Sequence, residues 1–287
     1  MQTEEYIKRI SKSLLSLSTL PTVAAQLFEL VDDDKDQREA LEQIISADPV
    51  LTARLLKMIN AKGESVTGIH SAISKLGFEQ AKEICMEASM SRVYELKNSR
   101  VDLQKFWEHC RAVGTVARIV AQEYEPGLAT DAFTAGLLHD IGKIVLLQYV
   151  KEFEQAITLS KERPCELYLA EKELFGVDHG QTGAWLAENW RLPRSISEVM
   201  QYHHDLSRAE INRPLVALVS FADILCRIIG ESSLGTGDGG NYAPPEFNPA
   251  LAEELGKWRI NLEFNALQPL MLLCIDELNK RYLTQYG

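Results

Sequence analysis

Apolar residues recur along this chain at intervals of three and four, and nowhere do they alternate with polar residues over the length of a strand. Such spacing predicts amphipathic helices throughout, hence an all-α protein. The first stretch runs through Tyr6, Ile7, Ile10, Leu14 and Leu15, breaks at Ser18-Thr19-Leu20-Pro21, and resumes through Val23, Leu27 and Leu30. Asp32-Asp33-Asp34-Lys35-Asp36 reads as a solvated loop. Asp48 is placed to cap, and Pro49 to open, a helix through Leu51, Leu55 and Ile59. Ile69 to Leu76 reads as a short helix closed by Gly77, and Phe78 to Met90 as another.

Beyond a linker-like patch at Lys97-Asn98-Ser99-Arg100, Phe106, Cys110, Val113, Ala117 and Val120 mark one face of a long helix. Phe133 to Leu147 reads as a further helix on the pattern Phe133, Leu137, Leu138, Ile141, Ile144 and Val145. Helical signal resumes over 150–175 with a turn at Pro164, and another helix opens at His179. Ser195-Ile196-Ser197-Glu198 has the spacing of a capping box. Pro214 opens a helix with Leu215, Leu218, Val219 and Ala222 facing in. Glycines, serines and prolines of 231–249 predict a mobile loop. Two closing helices follow over 250–287, with Leu251, Leu255, Trp258, Leu270, Leu273, Ile275 and Leu278 as buried candidates. The expected organisation is an N-terminal helical subdomain (1–100), a core (101–230), the loop (231–249) and the closing helices.

Several function classes fall away on charge and composition. Of the 287 residues, 46% are hydrophobic and the net charge is -11, which disfavours a nucleic-acid surface or an anionic membrane surface. A helix-turn-helix near Ala47-Asp48 would lack any excess of phosphate-binding cations. No uncharged apolar run reaches the length of a membrane span. The five scattered cysteines have no CxxC spacing and fit reduced thiols, so a cytoplasmic location is expected.

What changes the picture is polar chemistry on apolar stripes. His139 and Asp140 sit side by side in the middle of an apolar helix, which is costly without compensation. Two readings suit that pair alone: a hydrogen-bonded core histidine beside a carboxylate, or a divalent metal site. His109, His203 and Asp223 also fall on inward positions, His204 adjoins His203, and His179 opens a helix. Five histidines and two aspartates on separate helices are hard to satisfy as isolated pairs. Together they form a mixed set suited to one or two Fe, Mn, Zn or Ni ions. His70, flanked by small polar residues, reads as a surface or capping histidine. Lys143 lies one turn after His139-Asp140, where it is placed either to steady a phosphate or to pair with Asp140.

His109, His139-Asp140 and Asp223 together resemble the defining pattern of the HD metal-dependent phosphohydrolase superfamily. His179, His203 and His204, with His139-Asp140-Ile141-Gly142-Lys143, resemble the fuller set of its dinuclear HD-GYP branch. A whole-chain likeness, over about residues 15–230, is to the HDOD family, the HD-related output domain. It is carried by Leu20-Pro21, Ser46-Ala47-Asp48-Pro49-Val50-Leu51, Ser71-Ala72-Ile73-Ser74-Lys75-Leu76-Gly77, Phe133 to Lys143, His179-Gly180-Gln181-Thr182-Gly183, Trp190-Arg191-Leu192-Pro193 and Tyr202-His203-His204. This resemblance implies an all-α bacterial signalling protein with a divalent-metal site, acting as a regulatory or output module. Its partner would be another signalling protein or a small phosphorylated ligand. The family has no generally established enzymatic activity, and many members lack ligands that this chain keeps. The alternative implied is an active metal-dependent phosphohydrolase or phosphodiesterase with Asp140 and Lys143 in catalysis. Two departures weigh against that: Asp205-Leu206-Ser207-Arg208 stands in place of a Gly-Tyr-Pro loop, and position 105 is lysine where dinuclear relatives can offer glutamate.

Overall fold

A computed structural model describes residues 26–27, 30, 35–90, 103–149, 153–163, 165–230 and 249–286. Among them every regular element is helical. Four helices come first: α1 (Lys35–Ser46), α2 (Pro49–Asn60), α3 (Ile69–Leu76) and α4 (Phe78–Met90). Asp48 caps α2 by accepting from the backbone N–H of Val50 and Leu51, as its place before Pro49 predicts. Gly77 closes α3 at φ +87°, a conformation that suits glycine. These helices pack on one another, and α2 then lies against the next two.

The centre of the molecule is α5 (Leu103–Tyr124), α6 (Ala129–Leu138) and α12 (Arg213–Ile228). Close approach of α5 to α6 depends on facing glycines. A β-carbon on Gly136 would lie 2.8 Å from the Cα of Gly114, and one on Gly114 would lie 2.7 Å from the carbonyl oxygen of Phe133. Around this centre run α7 (Ile141–Tyr149), α8 (Phe153–Glu162), α9 (Leu167–Phe175), α10 (His179–Asn189) and α11 (Arg194–Tyr202). Helices α13 (Pro249–Lys257) and α14 (Phe264–Tyr286) close the fold against α12 and α5 respectively. One continuous apolar cluster runs from Leu27 through Val113, Leu137 and Leu218 to Leu278.

The structure departs from the helical pattern in four places. Phe133 to Leu147 is not one helix: α6 ends at Leu138, a turn holds His139 and Asp140, and α7 starts at Ile141. Neighbours on a straight helix point about 100° apart, so the turn is what lets both side chains reach one interior site. Glu198 does not close a capping box, because α11 starts at Arg194 after Pro193 with no side-chain cap. Its carboxylate instead accepts the backbone N–H groups of Glu210, Ile211 and Asn212 at 2.5–2.6 Å. Leu273 and Ile275 are exposed rather than buried. Among the described side chains of α14, Leu267, Cys274 and Leu278 are buried, a narrow stripe fitting a helix at the edge of the bundle. Pro249, expected in the loop, opens α13. The rest of that loop, 231–248, the 97–100 linker and the helices expected before residue 26 lie outside the described residues. His70 is an exposed partner of Glu42, as expected of a surface histidine.

Candidate metal centre

Seven side chains from five separate segments converge on one buried spot. Helix α5 brings His109, the α6–α7 turn brings His139 and Asp140, and the first residue of α10 is His179. His203 and His204 follow α11, and Asp223 comes from the middle of α12. All except His204, which is partly exposed, are buried. They fall into two groups, each with its ligand atoms within 4.8 Å of one another: Asp140, His179, His203 and His204 in one, and His109, His139 and Asp223 in the other. Asp140 lies between them. Its Oδ1 is 3.3 Å from His179 Nε2 and 3.6 Å from His203 Nε2. Its Oδ2 is 3.4 Å from His139 Nε2 and 3.6 Å from His109 Nε2.

Local hydrogen bonds decide which face each ring presents. Nδ1 of His139 donates to the Gly136 carbonyl at 2.7 Å, and Nδ1 of His203 to the Met200 carbonyl at 2.8 Å. Nδ1 of His179 donates to Glu171 Oε2 at 2.7 Å. With Nδ1 committed outward, each ring turns Nε2 to the centre. There the Nε2 atoms of His139 and His203 and the Oδ1 of Asp140 are buried with no hydrogen-bond partner among the described residues. Lone pairs facing carboxylate oxygens repel unless a cation lies between them. The residues therefore fit one or two divalent ions, with imidazole and carboxylate donors suited to first-row metals.

Charge effects point the same way. Burial alone would raise Asp140, yet His139 and Lys143 hold it well below the usual carboxylate range. Asp223 is likewise held low against burial by Arg227 and His109. Burial pushes His139 down to about 3, so it is neutral. Burial and its histidine neighbours push His204 well down too. For His179 burial is overcome by the Glu171 carboxylate, which lifts the ring to about 9.

The sequence model of the HDOD domain matches residues 17–206. The chain belongs to the HDOD family. Solved structures of similar fold include a virulence factor of Campylobacter jejuni subsp. jejuni, 21% identical, covering 97% of this chain and 98% of that one at a TM-score of 0.70. The MmoQ response regulator of Methylococcus capsulatus is 22% identical over 89% of this chain and 98% of its own, with a TM-score of 0.66. An HDOD domain protein of unknown function from Geobacter sulfurreducens is 22% identical over 98% and 96%, with a TM-score of 0.53. An uncharacterised protein of Treponema pallidum is 24% identical over 79% of this chain, which spans 45% of that relative's length.

In this HDOD protein all seven predicted ligands meet, and Lys143 stands beside them with Nζ 2.5 Å from Asp140 Oδ2. Of the two roles open to Lys143 in sequence, the ion pair is the one the geometry contains. Sequence reasoning passed over α9, which supplies no ligand yet supports several. Its Glu171, fully buried, accepts both the backbone N–H and Nδ1–H of His179. Tyr168 stacks on His204 with ring centroids 4.6 Å apart. Lys172 pairs with Asp178, whose carboxylate caps α10 just before His179. Just ahead of α9, Glu166 grips Arg227, which faces Asp223. A readable signal existed for Glu171: it falls four residues after Leu167 and beside buried Ala170, a carboxylate on an apolar stripe.

Proposed function

We propose that this chain is a bacterial signal-transduction protein of the HDOD type, whose His/Asp cluster holds one or two divalent ions within a regulatory or output module. The observation that carries the reading is the convergence of five histidines on Asp140 and Asp223 at one buried spot, where the Nε2 atoms of His139 and His203 and the Oδ1 of Asp140 have no hydrogen-bond partner among the described residues. His109, His139 and Asp223 would hold one ion, and His179, His203 and His204 the other, with Asp140 between. The proteins of similar fold include a response regulator, which agrees with a signalling role and with protein partners. No described helix is long and apolar enough to cross a membrane.

Hydrolysis of a nucleotide or phosphate ester is the second reading, favoured by a carboxylate that faces two ligand groups about as a two-ion hydrolase requires. An ion bound there supplies a Lewis acid and an acidified water. Turnover also needs donors aimed at the substrate phosphate. Lys143, the nearest cation, is committed to Asp140, and Arg208 lies over the ring of Tyr202 with its guanidinium carbon 5.4 Å from the centroid. The net charge of -11 does not attract a polyanion. The expected outcome is ion binding with little or no turnover. Metal analysis of the purified chain, then a screen of cyclic dinucleotides and phosphate esters with Mn or Fe restored, separates the two readings. Rapid turnover abolished by Asp140→Ala and strongly reduced by Lys143→Ala promotes the hydrolase.

A further inference from the structure

We propose that the two ion positions are unequal, that the one at Asp140, His179, His203 and His204 fills first, and that Glu171 on one side and Lys143 with Arg227 on the other set the difference. This rests on the ion-site reading above and adds an order of filling to it.

Glu171 places a carboxylate directly behind one ligand. Its Oε2 accepts two hydrogen bonds from His179, both 2.7 Å, while Oε1 is buried with no hydrogen-bond partner among the described residues. The charge is thus spent on a single imidazole in dry surroundings. A carboxylate behind a ligating histidine fixes the ring and strengthens it as a donor. It also attracts a dication twice as strongly as the single proton the ring would otherwise carry. Three imidazoles and Asp140 Oδ1 complete this position.

Behind the other position lie fixed cations. Asp223 Oδ1 faces His109 Nε2 at 3.3 Å, but its Oδ2 faces Arg227 Nε at 3.4 Å. Glu166 holds that guanidinium in place with two contacts, 3.0 and 2.7 Å. Asp140 Oδ2, the oxygen turned to His139 and His109, is 2.5 Å from Lys143 Nζ. Both carboxylates serving this position therefore share their charge with a buried or half-buried cation, which weakens them as donors and repels a second dication. Here only two imidazoles contribute. Over a band of ion concentration the protein holds one ion, and filling of the second position becomes a graded quantity that an output module can report.

The test titrates the full chain, stripped with chelator, with Mn(II) at pH 8.5 by calorimetry, counting bound ions after gel filtration. Two steps at least about tenfold apart are expected. Glu171→Gln, which keeps one acceptor for His179, should weaken the first step roughly 10–100-fold and leave the second. Asp223→Ala should remove the second and leave the first, and Lys143→Gln should strengthen the second. Electron paramagnetic resonance adds a readout that general loosening would not move: no coupled-pair signal at one equivalent. Should Glu171→Gln fail to fold, Lys143→Gln carries the test alone. Two equal steps, equal weakening of both by Glu171→Gln, or no response of the second to Lys143→Gln would overturn the inequality. A folded wild type that binds no ion at either step overturns the ion-site reading itself, and the inequality with it.

Discussion

Gly142 faces the carbonyl of His179 so closely that a β-carbon on it would lie 1.9 Å from that oxygen and 2.8 Å from the nitrogen of Gly183. This contact sets the distance between α7, where Gly142 lies two residues after Asp140, and α10, which begins at His179. Gly142→Ala must push the two helices apart and should cost about 1–3 kcal/mol in urea unfolding. It should also weaken ion binding, because Asp140 and His179 separate. Gly127→Ala, whose added carbon meets nothing within 4 Å, is the control and should stay within about 0.5 kcal/mol.

Removing Glu198 tests the loop after His203-His204. Its carboxylate is buried and accepts three backbone N–H groups. Charged acceptors of this kind contribute more than neutral ones, although exposed Glu210 and Ile211 let water replace part of the loss. Glu198→Ala should destabilise by about 2 kcal/mol, and raise amide exchange across 205–212. Unchanged exchange there would show that the loop is held otherwise.

Two histidines give the ion-free protein opposite responses to pH. His139, pushed down to about 3 by burial, stays neutral in the fold while the unfolded chain gains a proton below about 6.5. Stability is therefore lost as pH falls from about 6.5 towards 3. His179, lifted to about 9 against burial by Glu171, is protonated in the fold. Its contribution is complete below about 6.5 and is lost as pH rises through about 9, on the order of 3 kcal/mol. Urea unfolding of chelator-treated protein should show a maximum near pH 6.5, and Glu171→Gln should flatten the alkaline limb. A steady rise through pH 9 would sink this account.

Ion removal should lower the melting temperature of the loaded chain. Ligands from α5, the α6–α7 turn, α10, the segment after α11 and α12 are tied together only in the folded state, so an ion favours it by mass action. Asp140→Ala, which removes the carboxylate between both groups, should make melting indifferent to chelator. An unchanged wild-type curve after confirmed ion removal refutes a stabilising role.

The sequence by itself determined the helical class, because a period of three to four sets which face of each segment leaves water. It also marked the site, since His109, Asp223 and His203 break apolar stripes where an uncompensated polar group is costly. Local rules read well wherever both partners are near in sequence, as with Asp48 before Pro49 and Gly77 after α3. Tertiary structure decided everything that depends on distant partners. Ser195 and Glu198 have the spacing of a capping box, yet Glu198 turns to amides twelve to fourteen residues on, because those donors are otherwise unmet. A periodic pattern through Phe133 to Leu147 does not reveal the turn at His139-Asp140, since apolar residues on both sides stay buried whether the helix is straight or broken. Glu171 stands out in sequence only as an acid on the apolar stripe of α9, and its partner is decided when α9 packs against α10 and brings it to His179. The pairs Asp140–Lys143 and Asp223–Arg227 lie one turn apart in sequence, but that both carboxylates face His109 and His139, and that only His179 has Glu171 behind it, is set by how α5, α9, α10 and α12 pack, a relation between segments that no local periodicity encodes.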